Sequence, residues 1–279
     1  MVSRVDVAIH SDALLGEGPR WNAATRRLLW VDIEGRALHI SDPERGEDRT
    51  IPLWSRVGCA SWTTREDTVL VALADRLALV DVGDGSLETL VEIPHAGHMR
   101  LNDGACDPAG RFWVGSMALA VTPGVAALYC YADGSLARVV DGVTLSNGLG
   151  WSPDASLMYY VDSESYRVDV FDYDLATGAI SGRRSFVPID RADGTPDGLA
   201  VDDEGCVWLA LWGGRAVRRY DPHGMLDRVV DVPAANVTAC CFGGEDRRSL
   251  YITTAAPDGS VFVTDAGVRG PPAQPFHVA

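Results

Sequence analysis

The chain has 279 residues, 47% hydrophobic and 23% charged, with a mean hydropathy near zero. That is the composition of a soluble globular protein long enough for a sizeable core. The formal net charge of −15 and pI of about 4.7 argue against nucleic acid and anionic membranes as partners and suit a cation, although most of these acids read as a solvated surface.

Residues 1–6 show no apolar leader, and no apolar run approaches membrane length, so a reducing cytoplasm is the expected compartment. The six cysteines form no C-x-x-C, and Cys240-Cys241 lie inside an apolar run, so buried free thiols are expected rather than a disulfide framework.

In chain order, an apolar stretch, Val5-Asp6-Val7-Ala8-Ile9, precedes a short phrase that then recurs. It reads Glu17-Gly18-Pro19, Asp103-Gly104-Ala105, Asn147-Gly148-Leu149 and Asp197-Gly198-Leu199. Each copy is an oxygen-bearing side chain, a glycine and an apolar run. Glycine is expected to allow a tight entry that a side chain would block. Weaker copies at Gly58 and Val237 complete a series at positions 17, 58, 103, 147, 197 and 237, with separations of 41, 45, 44, 50 and 40 residues. That matches propeller blades, whose period is roughly 40–50 residues.

Within each unit a first strand follows the phrase, as in Leu149-Gly150-Trp151, with Ala105-Cys106 as its counterpart in the third unit. Then comes a turn such as Asp107-Pro108-Ala109-Gly110 or Asp202-Asp203-Glu204-Gly205. The second strand is nearly all apolar (Leu28-Leu29-Trp30-Val31, Val207-Trp208-Leu209-Ala210), which suits burial on both faces. A better-alternating third strand and an outer fourth strand follow. The sixth unit runs out after Val261-Phe262-Val263, leaving Pro271-Pro272-Ala273-Gln274-Pro275, so its outer strand is expected from residues 5–9, which closes the ring. No helix-period segment of useful length occurs. The expectation is an all-β, six-bladed β-propeller with four antiparallel strands per blade, residues 1–279 forming one domain.

The phrase then falls at the entry to each innermost strand, facing one end of the central channel. Glu17, Asp103, Asn147 and Asp197 would present carboxylate and amide oxygens there, a donor set for Ca²⁺, Mg²⁺ or Mn²⁺, with Zn²⁺ also compatible. Any single Asx-Gly pair reads equally well as a turn. The in-phase set is what points to a cation.

Gly16-Glu17-Gly18-Pro19, Arg100-Leu101-Asn102-Asp103-Gly104, Asp107-Pro108-Ala109-Gly110-Arg111, Gly115-Ser116-Met117, Ser146-Asn147-Gly148-Leu149, Thr195-Pro196-Asp197-Gly198-Leu199 and Gly267-Val268-Arg269-Gly270 together resemble the gluconolactonase/regucalcin (senescence marker protein) family across nearly the whole chain. The resemblance implies a six-bladed propeller that opens a lactone ring with one divalent metal: Ca²⁺ or Zn²⁺ first, Mn²⁺, Mg²⁺ or Fe²⁺ next. It implies Glu17, Asn147 and Asp197 as metal ligands and Arg100 and Asn102 as substrate contacts. Asp103 then becomes a neighbouring residue. Asp197 serves either as ligand alone or also as general base. The family's sugar lactonases often carry acidic residues after Gly-Thr-Met-Ala. Here Leu119-Ala120 follow Gly115-Ser116-Met117-Ala118, which permits a less hydroxylated lactone or ester.

Other candidates carry less. His95 and His98 lie in a loop before Arg100 and read as solvent-facing, though they could line the pocket. The segment Val121-Thr122-Pro123-Gly124-Val125 reads as a loop over the channel mouth. Trp21, Trp62, Trp113, Trp151 and Trp208 read as core, and Trp212-Gly213-Gly214 as a pocket wall. No Gly-x-Ser-x-Gly elbow, Walker or Rossmann glycine pattern occurs. The alternatives to a lactonase are a non-catalytic Ca²⁺-binding or protein-interaction propeller, and an esterase or phosphotriesterase using the same metal.

Overall fold

The apolar runs become strands because each can be covered on both faces by neighbouring sheets. The second strands, Arg27–Asp32, Thr68–Leu73, Phe112–Ala118, Leu157–Asp162, Val207–Trp212 and Ser249–Thr254, are buried almost throughout. The outer strands, such as Glu47–Pro52 and Leu226–Asp231, are mostly exposed and mostly polar. A computed structural model describes residues 4–278. Met1, Val2 and Ser3, part of the stretch read for a leader, lie outside it.

Six antiparallel four-stranded sheets make a six-bladed β-propeller. The innermost strands are Gly16–Asn22, Val57–Trp62, Met99–Cys106, Ser146–Trp151, Thr195–Val201 and Val237–Gly243, blades one to six. In blade three this strand begins before the phrase, six residues earlier than Ala105-Cys106 suggested. Among the described residues the only helical turns are Ser163–Ser165 and Arg191–Asp193. No helix is long and apolar enough to cross a membrane. The ring closes as expected: Asp6–Ile9 pairs antiparallel with Val261–Asp265, Val7 opposite Phe262, and becomes the outer strand of blade six.

The core lies between blades. Leu29, Val31 and Leu38 of blade one, for example, pack with Val57, Val69 and Val71 of blade two, and each such side chain contributes about 1.5–3 kcal/mol of burial. Blades three and five share an internal lock. Asp107 accepts from Trp113 Nε1 at 3.0 Å, Tyr173 Oη at 2.6 Å and Arg111 Nε at 2.6 Å. Asp202 accepts from Trp208 Nε1 at 2.9 Å and Arg219 Nε at 2.8 Å. Both acids are fully buried, each just past the end of an inner strand. The six thiols are free; Cys106 and Cys130 are only partly buried.

Each inner strand starts at one face of the ring and ends at the other. The links from outer strand to next inner strand, and from second to third strand, therefore share the starting face. At the opposite face the C-terminal segment forms a strap. Gly270 N donates to Arg247 O in blade six, Phe276 N to Trp62 O in blade two, and His277 N to Gly110 O in blade three. Between strap and strand ends lies a cavity of about 230 Å³, with Arg20, Trp151 and Cys240 among its walls.

Candidate metal centre

Every inner strand breaks register at the recurring phrase. The breaks fall between Glu17 and Arg20, Val57 and Cys59, Leu101 and Gly104, Ser146 and Leu149, Pro196 and Leu199, and Val237 and Ala239. Each gives the inner strand one residue more than its partner, the signature of a β-bulge, which re-aims the side chains around it.

The glycines do a different job from the tight entry anticipated above. Only Gly18 has a positive φ, of 54°. At Gly58, Gly148 and Gly198 the neighbouring blade leaves no room for a Cβ, and at Gly104 the partner strand's Trp113 O does. One added at Gly58 would lie 2.4 Å from Asn102 O, at Gly148 2.6 Å from Leu199 N, and at Gly198 2.5 Å from Ala239 Cβ. The phrase brings backbones of adjacent blades together around the axis, and blade two accordingly carries no side chain at its ring position.

The predicted site residues all lie at the starting face, each at most 6% exposed: Glu17, Arg100, Asn102, Asp103, Asn147 and Asp197. Arg100 NH1 donates to Asn102 Oδ1 at 2.5 Å and Leu101 O at 3.0 Å. Asn102 Nδ2 donates to Ser146 O at 2.7 Å and Asn147 Oδ1 at 3.2 Å. Asn147 Nδ2 donates to Ser163 Oγ at 3.0 Å, which turns its carbonyl oxygen toward the cluster. His98 is exposed in the loop before Arg100. His95 is half-buried with Nε2 2.9 Å from Ala74 O. Residues 121–125 form a loop on this face, and Trp212 stands on it 37% exposed.

The carboxylates crowd one another. Burial and the Asp103 charge push Glu17 up to about 8, against the Gly18 N–H and the Arg100 and Arg20 charges. Burial, then Glu17 and Asp103, hold Asp197 well above the usual carboxylate range. Asp103 is raised by burial and relieved chiefly by Arg20, 3.7 Å away. Burial lowers Arg100 to about 10, with Glu34, Glu17 and Asp197 opposing. Asp197 Oδ1 is buried with no hydrogen-bond partner among the described residues. An excess of buried negative charge, an orphaned carboxylate oxygen and an all-oxygen donor set fit a hard divalent cation.

A second cluster, Asp202, Glu204 and Cys206, brings its ligand atoms within 4.8 Å of one another. There the Arg219 guanidinium already supplies the positive charge, bonded to Asp202, Glu204 and Asp227.

Three supporting residues escaped the sequence reading. Arg20 donates to Pro19 O at 2.8 Å and to Gly104 O at 2.7 Å, reaching from blade one to blade three beneath the carboxylates. Ser163 orients Asn147. Thr238, rather than Val237 as the repeat was read, is the extra residue of the blade-six bulge, and it lies 2.5 Å by Oγ1 from Gly16 O, the carbonyl beside Glu17. Only Thr238 carried a signal, since it occupies the position after Val237 in the repeat.

Fold and site thus define a propeller whose blades set buried acids and amides around one mouth of the channel. Residues 15–256 match the family described as the SMP-30/Gluconolactonase/LRE-like region, and the chain belongs to it. Regucalcin of Danio rerio is 37% identical over 286 aligned positions, covering 96% of this chain and 97% of its own. Pentonolactonase XacC of Haloferax volcanii is 39% identical over 251 positions, covering 90% and 85%. The solved structure of a calcium-binding regucalcin from Agrobacterium tumefaciens superposes with a TM-score of 0.94 at 27% identity, over 99% of this chain and 98% of that one.

Proposed function

We propose that this protein is a divalent-metal-dependent hydrolase that opens a lactone ring. The observation that carries the reading is the crowded acid cluster with its orphaned Asp197 Oδ1, which calls for a cation at a solvent-facing mouth. Kinship with a pentonolactonase supports the reaction class.

Glu17, Asn147 and Asp197 would hold the ion. When bound, it supplies Lewis acidity toward a carbonyl oxygen and makes water more acidic. Arg100, anchored on Leu101 O and Asn102, binds and orients the lactone by its carbonyl or ring oxygen. Asn102 fixes that arginine and the Asn147 amide together. Asp197 accepts a proton from the attacking water at the carboxylate oxygen it does not give to the ion, the acyl C–O bond of the ring breaks, and the proton passes to the leaving alkoxide, giving the hydroxy acid.

The test is hydrolysis of sugar and simple lactones by metal-stripped protein and by protein restored with Ca²⁺, Zn²⁺, Mn²⁺, Mg²⁺ or Fe²⁺. Turnover that appears only on restoration supports the reading. Failure with every ion and every lactone overturns it.

A further inference from the structure

We infer that the mouth above this site selects a lactone whose ring carries an alkyl or aryl substituent over one covered in hydroxyls, an inference that rests on the lactonase reading. Among the described residues, five of the ten exposed large apolar side chains, Leu14, Trp54, Leu119, Val125 and Trp212, lie in links or at a strand end at the starting face of the ring. Three lie next to the cluster in register or sequence. Trp212 pairs with Thr195, two residues before Asp197. Leu119 follows Ala118, which pairs with Met99 beside Arg100, and its N–H is bonded to His98 O. Leu14 is three residues before Glu17. At about 3.3 Å per residue each lies roughly 10 Å or less along the chain from the site. Leu14 and Leu119 come from two different links and Trp212 from the end of the second strand of blade five, so three blades offer apolar surface on the side of the ring where the cluster lies.

Several polar groups at this mouth are already committed to each other, with Glu164 an exposed carboxylate that is not. Arg56 Nε holds both oxygens of Glu34 at 2.9 and 3.0 Å. Arg76 holds Asp75 at 2.9 Å and lies over the Trp54 ring. Tyr166 Oη pairs with Thr195 Oγ1 at 3.3 Å, and Arg191 stacks on Tyr166 at 3.7 Å. A polyol would lose water from the hydroxyls that face Leu119 and Trp212, where no side-chain acceptor replaces it. An alkyl group would instead cover Leu119 and Trp212, each buried methylene raising affinity about fourfold.

The experiment compares γ-nonalactone with D-glucono-1,5-lactone on metal-restored protein. In parallel, calorimetry follows binding of the matching non-hydrolysable lactams, alkyl and polyhydroxylated. The expected result is at least a tenfold higher kcat/KM for the alkyl lactone and tighter binding of the alkyl lactam. Leu119→Asp and Trp212→Asn, both exposed and so compatible with folding, should narrow the preference through KM. If no lactone is turned over but the alkyl lactam still binds more tightly, the lactonase reading falls while the selectivity of the mouth stands. Preference for the sugar compounds, or selectivity unchanged in both variants, overturns the inference. So does a dimer, seen by light scattering, that either variant dissociates.

Discussion

At the residue scale, the acid cluster is a source of instability that a cation, on the proposed reading, would relieve. Asp197→Asn and Glu17→Gln should each cut lactone turnover by about three orders of magnitude, yet raise the melting temperature of the metal-free protein at pH 8, because each removes one of the repelling charges. A scanning-calorimetry trace beside an activity assay checks both. The pH dependence has a definite sign. Glu17 binds its proton more tightly folded than unfolded, so its contribution is fully present below the ordinary carboxyl value of 4.5 and is lost as pH rises toward about 8. Metal-free protein should therefore lose denaturant resistance across that window, and metal-loaded protein should not. Glu17, Asn147 and Asp197 were legible as positions that meet because the repeat sets their phase. Arg20 was not, since its role comes from Gly104 O, 84 residues along the chain and two blades away.

At the scale of elements, the blade period, strand order and N-terminal closure strand followed from local patterns of apolar residues and turns. The bulges did not, because a register break depends on the partner strand. The contacts that leave no room for a side chain at Gly58, Gly148 and Gly198 are with another blade. Gly58→Ala would set a Cβ 2.4 Å from Asn102 O, beside a residue of the cluster. It should cost about 3 kcal/mol or more in urea unfolding and weaken metal binding measured by calorimetry. The acid–tryptophan lock in blades three and five is a stability element. Asp107→Ala orphans the Trp113 indole and takes away the buried acceptor of both Arg111 Nε and Tyr173 Oη, so a loss of about 3–5 kcal/mol is expected in the same assay.

For the whole molecule, closure of the ring leaves blade six without an exposed third-strand edge. Removing residues 1–9 would bare Val261–Asp265 along its hydrogen-bonding edge and uncover the pocket filled by Ile9, 1% exposed in the intact ring. The shortened protein should elute as aggregates in size-exclusion chromatography, where the full chain gives a single species.

The Arg20 side chain and the strap beyond it have a kinetic consequence. Arg20 ties blade one to blade three below the carboxylates, and the C-terminal segment crosses the far mouth behind it. The site is therefore a cul-de-sac, entered and left through the same opening. On the lactonase reading, a hydroxy-acid product would depart past the residues that admit the next lactone, so the two would compete for one doorway. Product inhibition should be strictly competitive, raising KM and leaving kcat untouched.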